Sequence, residues 1–151
     1  MLFRSIMVRP DGNLTLVDYD GMFVPSMKGQ KSPTIGTKDF SHPLRTVDDF
    51  DETIDDFALA SIALSLKAIS LNPYLLDEYG AADRLLFSAE DYRDLSKSNV
   101  VVSLSELLGD TDLRLLYSLF NIVFVKKNLS FVCLILLYLI IVGKRKIVLM
   151  I

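Results

Sequence analysis

Phe57-Ala58-Leu59-Ala60-Ser61-Ile62-Ala63-Leu64-Ser65-Leu66-Lys67-Ala68-Ile69-Ser70-Leu71 is apolar almost all the way around a helix and stops at Asn72-Pro73. A helix apolar on every side is either enclosed by neighbours or crosses a membrane. The many alanines and serines, with the charge on Lys67, favour enclosure by closely packed neighbours. Proline ends the run because it has no N–H to give and its ring clashes with the preceding turn. The stretch reads as a buried central helix, and the fold class as mainly α.

Moving outward, Asp48, Asp49, Asp51, Glu52, Asp55 and Asp56 precede this helix. They lack the central glycine and closing glutamate of a calcium loop. Negative charge at the start of a helix complements its dipole, and Thr53 with Asp56 three residues on reads as a capping pair. Further upstream, Pro25, Gly29, Pro33, Gly36 and Pro43 interrupt any periodicity over residues 21–43. A loop of that length within a compact domain is usually functional or disordered. Its Ser26, Ser32, Thr34 and Thr37 are hydroxyls open to phosphorylation, as in any polar loop. His42 is the one histidine; with no cysteine or second histidine near it, it reads as a loop residue packed beside Pro43 and not as a base or ligand.

The N-terminal residues read as a short β-hairpin. Ile6 to Val8 is one strand, Pro10-Asp11-Gly12-Asn13 the turn and Leu14 to Val17 the return. The second strand runs into Asp18-Tyr19-Asp20-Gly21-Met22-Phe23-Val24-Pro25. A carboxylate aimed outward from a strand end suits a hard cation such as magnesium, which takes oxygen ligands. The alternative for Asp18 is a structural carboxylate bonded to nearby backbone amides.

This stretch resembles the strand-to-loop element of bacterial protein-kinase-like proteins, with Asp18-Tyr19-Asp20 in the place of the Asp-Phe-Gly triplet that positions the metal on ATP. The resemblance covers about residues 5 to 125. It implies a protein-kinase C-lobe-like helical domain whose hairpin, metal triplet, activation segment and central helix follow in that order. Asp20 departs from the family's glycine. Phe40-Ser41-His42-Pro43 sits where the Ala-Pro-Glu anchor belongs, and Leu44 replaces its glutamate. Asp55 takes the place of the aspartate that bonds back to the catalytic loop, and Asp55, Phe57 and Ala58 stand in the Asp-x-Trp-Ser positions as structural residues. Counting back roughly thirteen and eighteen residues from Asp18 on the family pattern, Ser5 replaces the metal-binding Asn and the general base falls before Met1. The glycine-rich loop, the strand lysine and its glutamate partner have no counterpart in the sequence either, so no catalytic residue is assigned. Magnesium and ATP are implied by resemblance alone. The expectation is a truncated protein-kinase-like domain without phosphotransferase activity of its own.

Downstream of the central helix, residues 74–79 read as a short helix ended by Gly80, and residues 83–87 as an apolar anchor. Ser88 caps a turn with Asp91 at its third position. Residues 103–108 and 113–125 read as helices separated by the cap signal Gly109-Asp110-Thr111-Asp112. The tail then changes character: residues 129–142 are almost wholly apolar, between Lys126-Lys127 and Lys144-Arg145-Lys146. The run is short against the roughly 20 residues of a normal span, though basic flanks can snorkel and lengthen it. It reads as a membrane span, as a buried last helix, or as the product of a shifted reading frame. The expected organisation is a C-lobe-like domain over residues 1–125 and a hydrophobic C-terminal helix within 126–151.

Composition bounds the rest. The 151 residues amount to one domain or less, against roughly 250–300 for a two-lobed kinase. A net charge of -3 and a pI near 5.1 give no basis for nucleic-acid binding. The single Cys133 excludes an internal disulfide framework. Mean hydropathy of +0.38 is high, and the excess lies in the tail. Besides the kinase-like reading, the sequence suits a small membrane-anchored interaction protein with an unknown protein partner, single-pass in the membrane or otherwise cytoplasmic. It also suits a gene fragment without function.

Overall fold

The computed structural model describes residues 6–17 and 21–126. Within them the fold is mainly α. Strands β1 (Ile6–Val8) and β2 (Leu14–Leu16) pair antiparallel, with Ile6 opposite Leu16 and Val8 opposite Leu14. The intervening turn takes its shape from Gly12, whose φ of 81° lies in the left-handed region that glycine enters without strain. Asp11 fixes the turn from the side. Its carboxylate accepts from the Asn13 amide and side chain, each at 3.0 Å, and these bonds pull its pKa down.

Four helices follow: α1 (Asp56–Leu71), α2 (Tyr74–Tyr79), α3 (Asn99–Leu107) and α4 (Thr111–Lys126). The all-round apolarity of α1 has a direct cause, since two faces are buried against different neighbours. Phe57, Ala60, Leu64 and Ala68 recur at helical spacing and join Leu104, Leu113, Phe120 and Val123 of α3 and α4 in the main core. Ala58 and Ile62 face the other way, onto Phe40 and Leu85. Small residues on both faces let these neighbours approach closely. Lys67, the charge within the helix, reaches Asp110 at 3.1 Å, just ahead of α4.

The start of α1 differs from expectation. Thr53 caps nothing: its hydroxyl and its N–H are both spent on the Asp51 carboxylate, at 2.6 and 2.8 Å. The helix begins three residues later, with Asp55 at the N-cap position and Asp56 buried in the first turn. At its far end the Asn72 N–H closes onto Ala68 O, and the Asn72 side chain accepts from the Tyr74 N–H to launch α2. Helix α3 starts four residues before the expected position, because Ser98 caps it by accepting from the Val101 N–H. Asp110 does the same for α4, accepting from Leu113 N–H at 2.8 Å, a bond that holds the carboxyl below its ordinary pKa.

Against the expectation of a membrane-spanning helix, none is found among the described residues, where no helix is long and apolar enough to cross a membrane. The longest, α1 and α4, have 16 residues each and carry Asp56 and Lys67, or Asp112, Arg114 and Lys126, within a length short of the roughly 20 residues needed. The apolar run 129–142 and the hydrophobic C-terminal helix expected there lie outside the described residues.

Candidate functional site

Among the described residues, the punctuated segment of residues 21–45 has almost no regular hydrogen bonding of its own yet is fastened along its length. Two short 3-10 turns, Pro25–Met27 and Lys38–Phe40, are its only helical pieces. Ser32 N–H donates to Val47 O at 2.7 Å, drawing the segment back on itself. The Ser32 hydroxyl meets Thr34 O at 2.6 Å, and the Ser41 hydroxyl lies 2.9 and 3.0 Å from Ile35 O and Thr37 O. These serines satisfy carbonyls that no ladder serves, which is how an irregular stretch is kept in one shape.

The second set of fasteners is long-range. Asp39 accepts the Ala89 N–H on Oδ1 at 2.7 Å, and its carbonyl accepts the Tyr92 hydroxyl at 3.0 Å. Tyr92 has a single hydroxyl hydrogen, so the Ser61 hydroxyl, 2.7 Å away, donates to the phenolic oxygen. Burial pushes the Tyr92 phenol far above its ordinary pKa, the Ser61 bond opposing, so it stays a donor. Phe40 sits between these anchors, buried against α1.

His42 is the third anchor. It lies in a loop, as read from the sequence, and is 8% exposed. Its Nε2 lies 2.9 Å from Phe124 O near the end of α4, and a carbonyl only accepts, so Nε2 carries the hydrogen. Nδ1 is then the acceptor for the Leu44 N–H at 3.1 Å. The ring packs edge-on against Phe57 at 5.1 Å and beside Phe124 at 5.7 Å.

Phe57, expected as a structural residue, is the hub of this region. It is buried and meets Tyr92 at 4.9 Å and Phe120 at 5.9 Å as well as His42. Asp55 stands at the head of α1 near Arg45, whose half-buried guanidinium is pushed down in pKa by desolvation while Asp55 and Asp49 pull it back up. Arg45 Nη2 reaches Ser32 Oγ and Thr34 O, each at 3.4 Å. Ser26, Thr34 and Thr37 are exposed on the segment, whereas Ser32 is buried.

The expected metal position, Asp18, lies outside the described residues, as does Ser5. Among the described residues no group of three or more His, Cys, Asp or Glu comes together as a metal site. The acidic run shows why: Asp49 Oδ2 accepts from Thr46 N–H and hydroxyl at 2.7 and 3.0 Å, and Asp51 serves Thr53 in the same way. These carboxylates build turns. Asp39, Tyr92 and the His42 contact to α4 were not visible in the sequence, because each joins residues 50 or more apart. Comparison of the chain with protein-family models, with curated proteins and with solved structures finds no match.

Proposed function

We propose that these residues form a protein-kinase C-lobe-like unit that holds and presents the segment 21–45 and transfers no phosphoryl group by itself. The observation that carries this reading is the clamping of a long irregular segment onto a buried helix headed by Asp55 and Phe57. That is the arrangement expected if residues 21–43 correspond to an activation segment and α1 to the central C-lobe helix. Phosphoryl transfer depends on positioning of phosphates, metal and nucleophile together. Of the groups that do this, only Asp18 has a counterpart in the sequence.

The test is a labelled-phosphate assay on the full chain with magnesium, ATP and protein or peptide acceptors. The expected result is no transfer above background, for the chain and for Asp18→Asn alike. Transfer that disappears in Asp18→Asn would overturn the inactive reading. The kinase-like placement of Asp55 is tested separately by hydrogen exchange in Asp55→Asn. If Asp55 ties α1 to the chain before β1, amides of Ile6–Val8 lose protection more than those of α3. Equal loss in both, or none, counts against the resemblance.

A further inference from the structure

The most unusual titratable group on the described surface and interior is His42, because both of its ring nitrogens are committed and in opposite senses. Nε2–H donates to Phe124 O at 2.9 Å, and Nδ1 accepts from Leu44 N–H at 3.1 Å. The two bonds respond differently to a proton. The imidazolium has N–H on both nitrogens. Its Nε2–H still faces a carbonyl, and near a helix C-terminus that contact gains from the positive charge. Its Nδ1–H would face another N–H.

We propose that His42 is an acid-sensitive clasp, in which a proton on Nδ1 releases the Leu44 turn at the end of the segment while the tie to α4 is kept. The charged and titratable groups on the elements packed around the ring are of both signs. On α1, Asp55 and Asp56 are the acidic groups, at the head of the helix beside Phe57. On α4, Lys126 in the last turn is basic, as is Arg45 on the histidine's own segment; Tyr92, behind Phe57, stays neutral. The ordinary histidine value is about 6.5.

What moves is also fixed by geometry. The turn that follows is held by Leu44 N–H on Nδ1 and Arg45 N–H on His42 O at 2.9 Å. Losing the first leaves the Arg45 N–H bond to His42 O in place. The segment N-terminal to it keeps its anchors at Asp39 and Ser41, so the release is confined to residues 43–45.

Because the chain has one histidine, its ring is followed without assignment ambiguity. Nitrogen-15 NMR of the full chain is expected to show Nδ1 bare and Nε2 protonated at about pH 7.5, with titration of Nδ1 on lowering the pH to about 5. Over the same range the Leu44 amide, corrected for intrinsic exchange, loses protection by about tenfold, the scale of one hydrogen bond, while Ala89 and Val101 amides do not. In His42→Gln, the pH dependence at Leu44 disappears. The proposal fails if the ring does not titrate above about pH 4.5, if it titrates with Leu44 protection unchanged, or if His42→Gln shows the same pH dependence. Should His42→Gln not fold, the wild-type ring titration and Leu44 exchange decide alone.

Discussion

Asp91 shows how much a single side chain organises here. It accepts from Ser88 N–H at 2.8 Å, from Ser88 Oγ at 2.6 Å and from Ser98 Oγ at 2.6 Å. Ser98 in turn caps α3, so one carboxylate joins two turns to a helix start. Partial burial works against its charge, but the serine bonds prevail and hold the carboxyl below its ordinary pKa. A carboxyl lowered on folding contributes stability above its unfolded value, about 3.9, and loses that contribution as pH falls through the folded value. Asp91→Ala is expected to cost about 1–3 kcal/mol at neutral pH. Urea unfolding of Asp91→Asn against wild type should show a difference that is flat from pH 7 to about 5 and shrinks below about pH 4. A difference independent of pH down to about 3 contradicts this account.

Elements differ in how openly the sequence declares them. Helices α1 and α2 are legible, because an apolar helical run met by Asn72-Pro73 and a short one met by Gly80 leave few alternatives. The start of α3 is not: Asn99-Val100-Val101-Val102 is rich in β-branched residues that disfavour a helix, and only Ser98, itself bonded to Asp91, makes it begin there. Thr53 misleads for a related reason, since a nearby Asp51 outcompetes the helix for its hydroxyl. The anchors at Asp39 and His42 leave no local trace at all. Gly80 carries a test of the α2 boundary. Its φ of -70° suits any residue, yet a Cβ there would lie 2.4 Å from Leu76 O, a backbone atom. Glycine-to-alanine changes at compatible sites usually stabilise. Gly80→Ala is instead expected to destabilise by about 1–3 kcal/mol, read as a lowered melting temperature. A raised one would mean that the turn relaxes freely.

At the scale of the whole molecule, the aromatic cluster of Phe57, Phe87, Tyr92 and Phe120 joins the central helix to the later elements in the main core, and the segment reaches it through His42, which packs on Phe57. Phe87 stacks on Phe120 at 5.1 Å and on Tyr92 at 5.6 Å, while Phe57 meets Tyr92 edge-on. Phe57→Ala is therefore expected to cost about 3–5 kcal/mol. Its far-ultraviolet and tyrosine signals should be lost in one coincident transition, since no neighbour retains a complete core. Val102→Ala, at a 58% exposed position on α3, should stay within about 0.5 kcal/mol of wild type. Separate transitions in Phe57→Ala would show that the segment and the helices melt independently.

The contact between His42 and the Phe124 carbonyl spans 82 positions, and this bears on how the protein is made. A ribosome adding about 5–20 residues per second takes on the order of 4–16 s to cover that distance. Phe57 is synthesised early in that interval and then waits for its ring partners Phe120 and Phe124, because α4 is the last described element to be made. A newborn chain in this state keeps apolar surface uncovered until α4 emerges, which places its period of greatest exposure to aggregation in that interval.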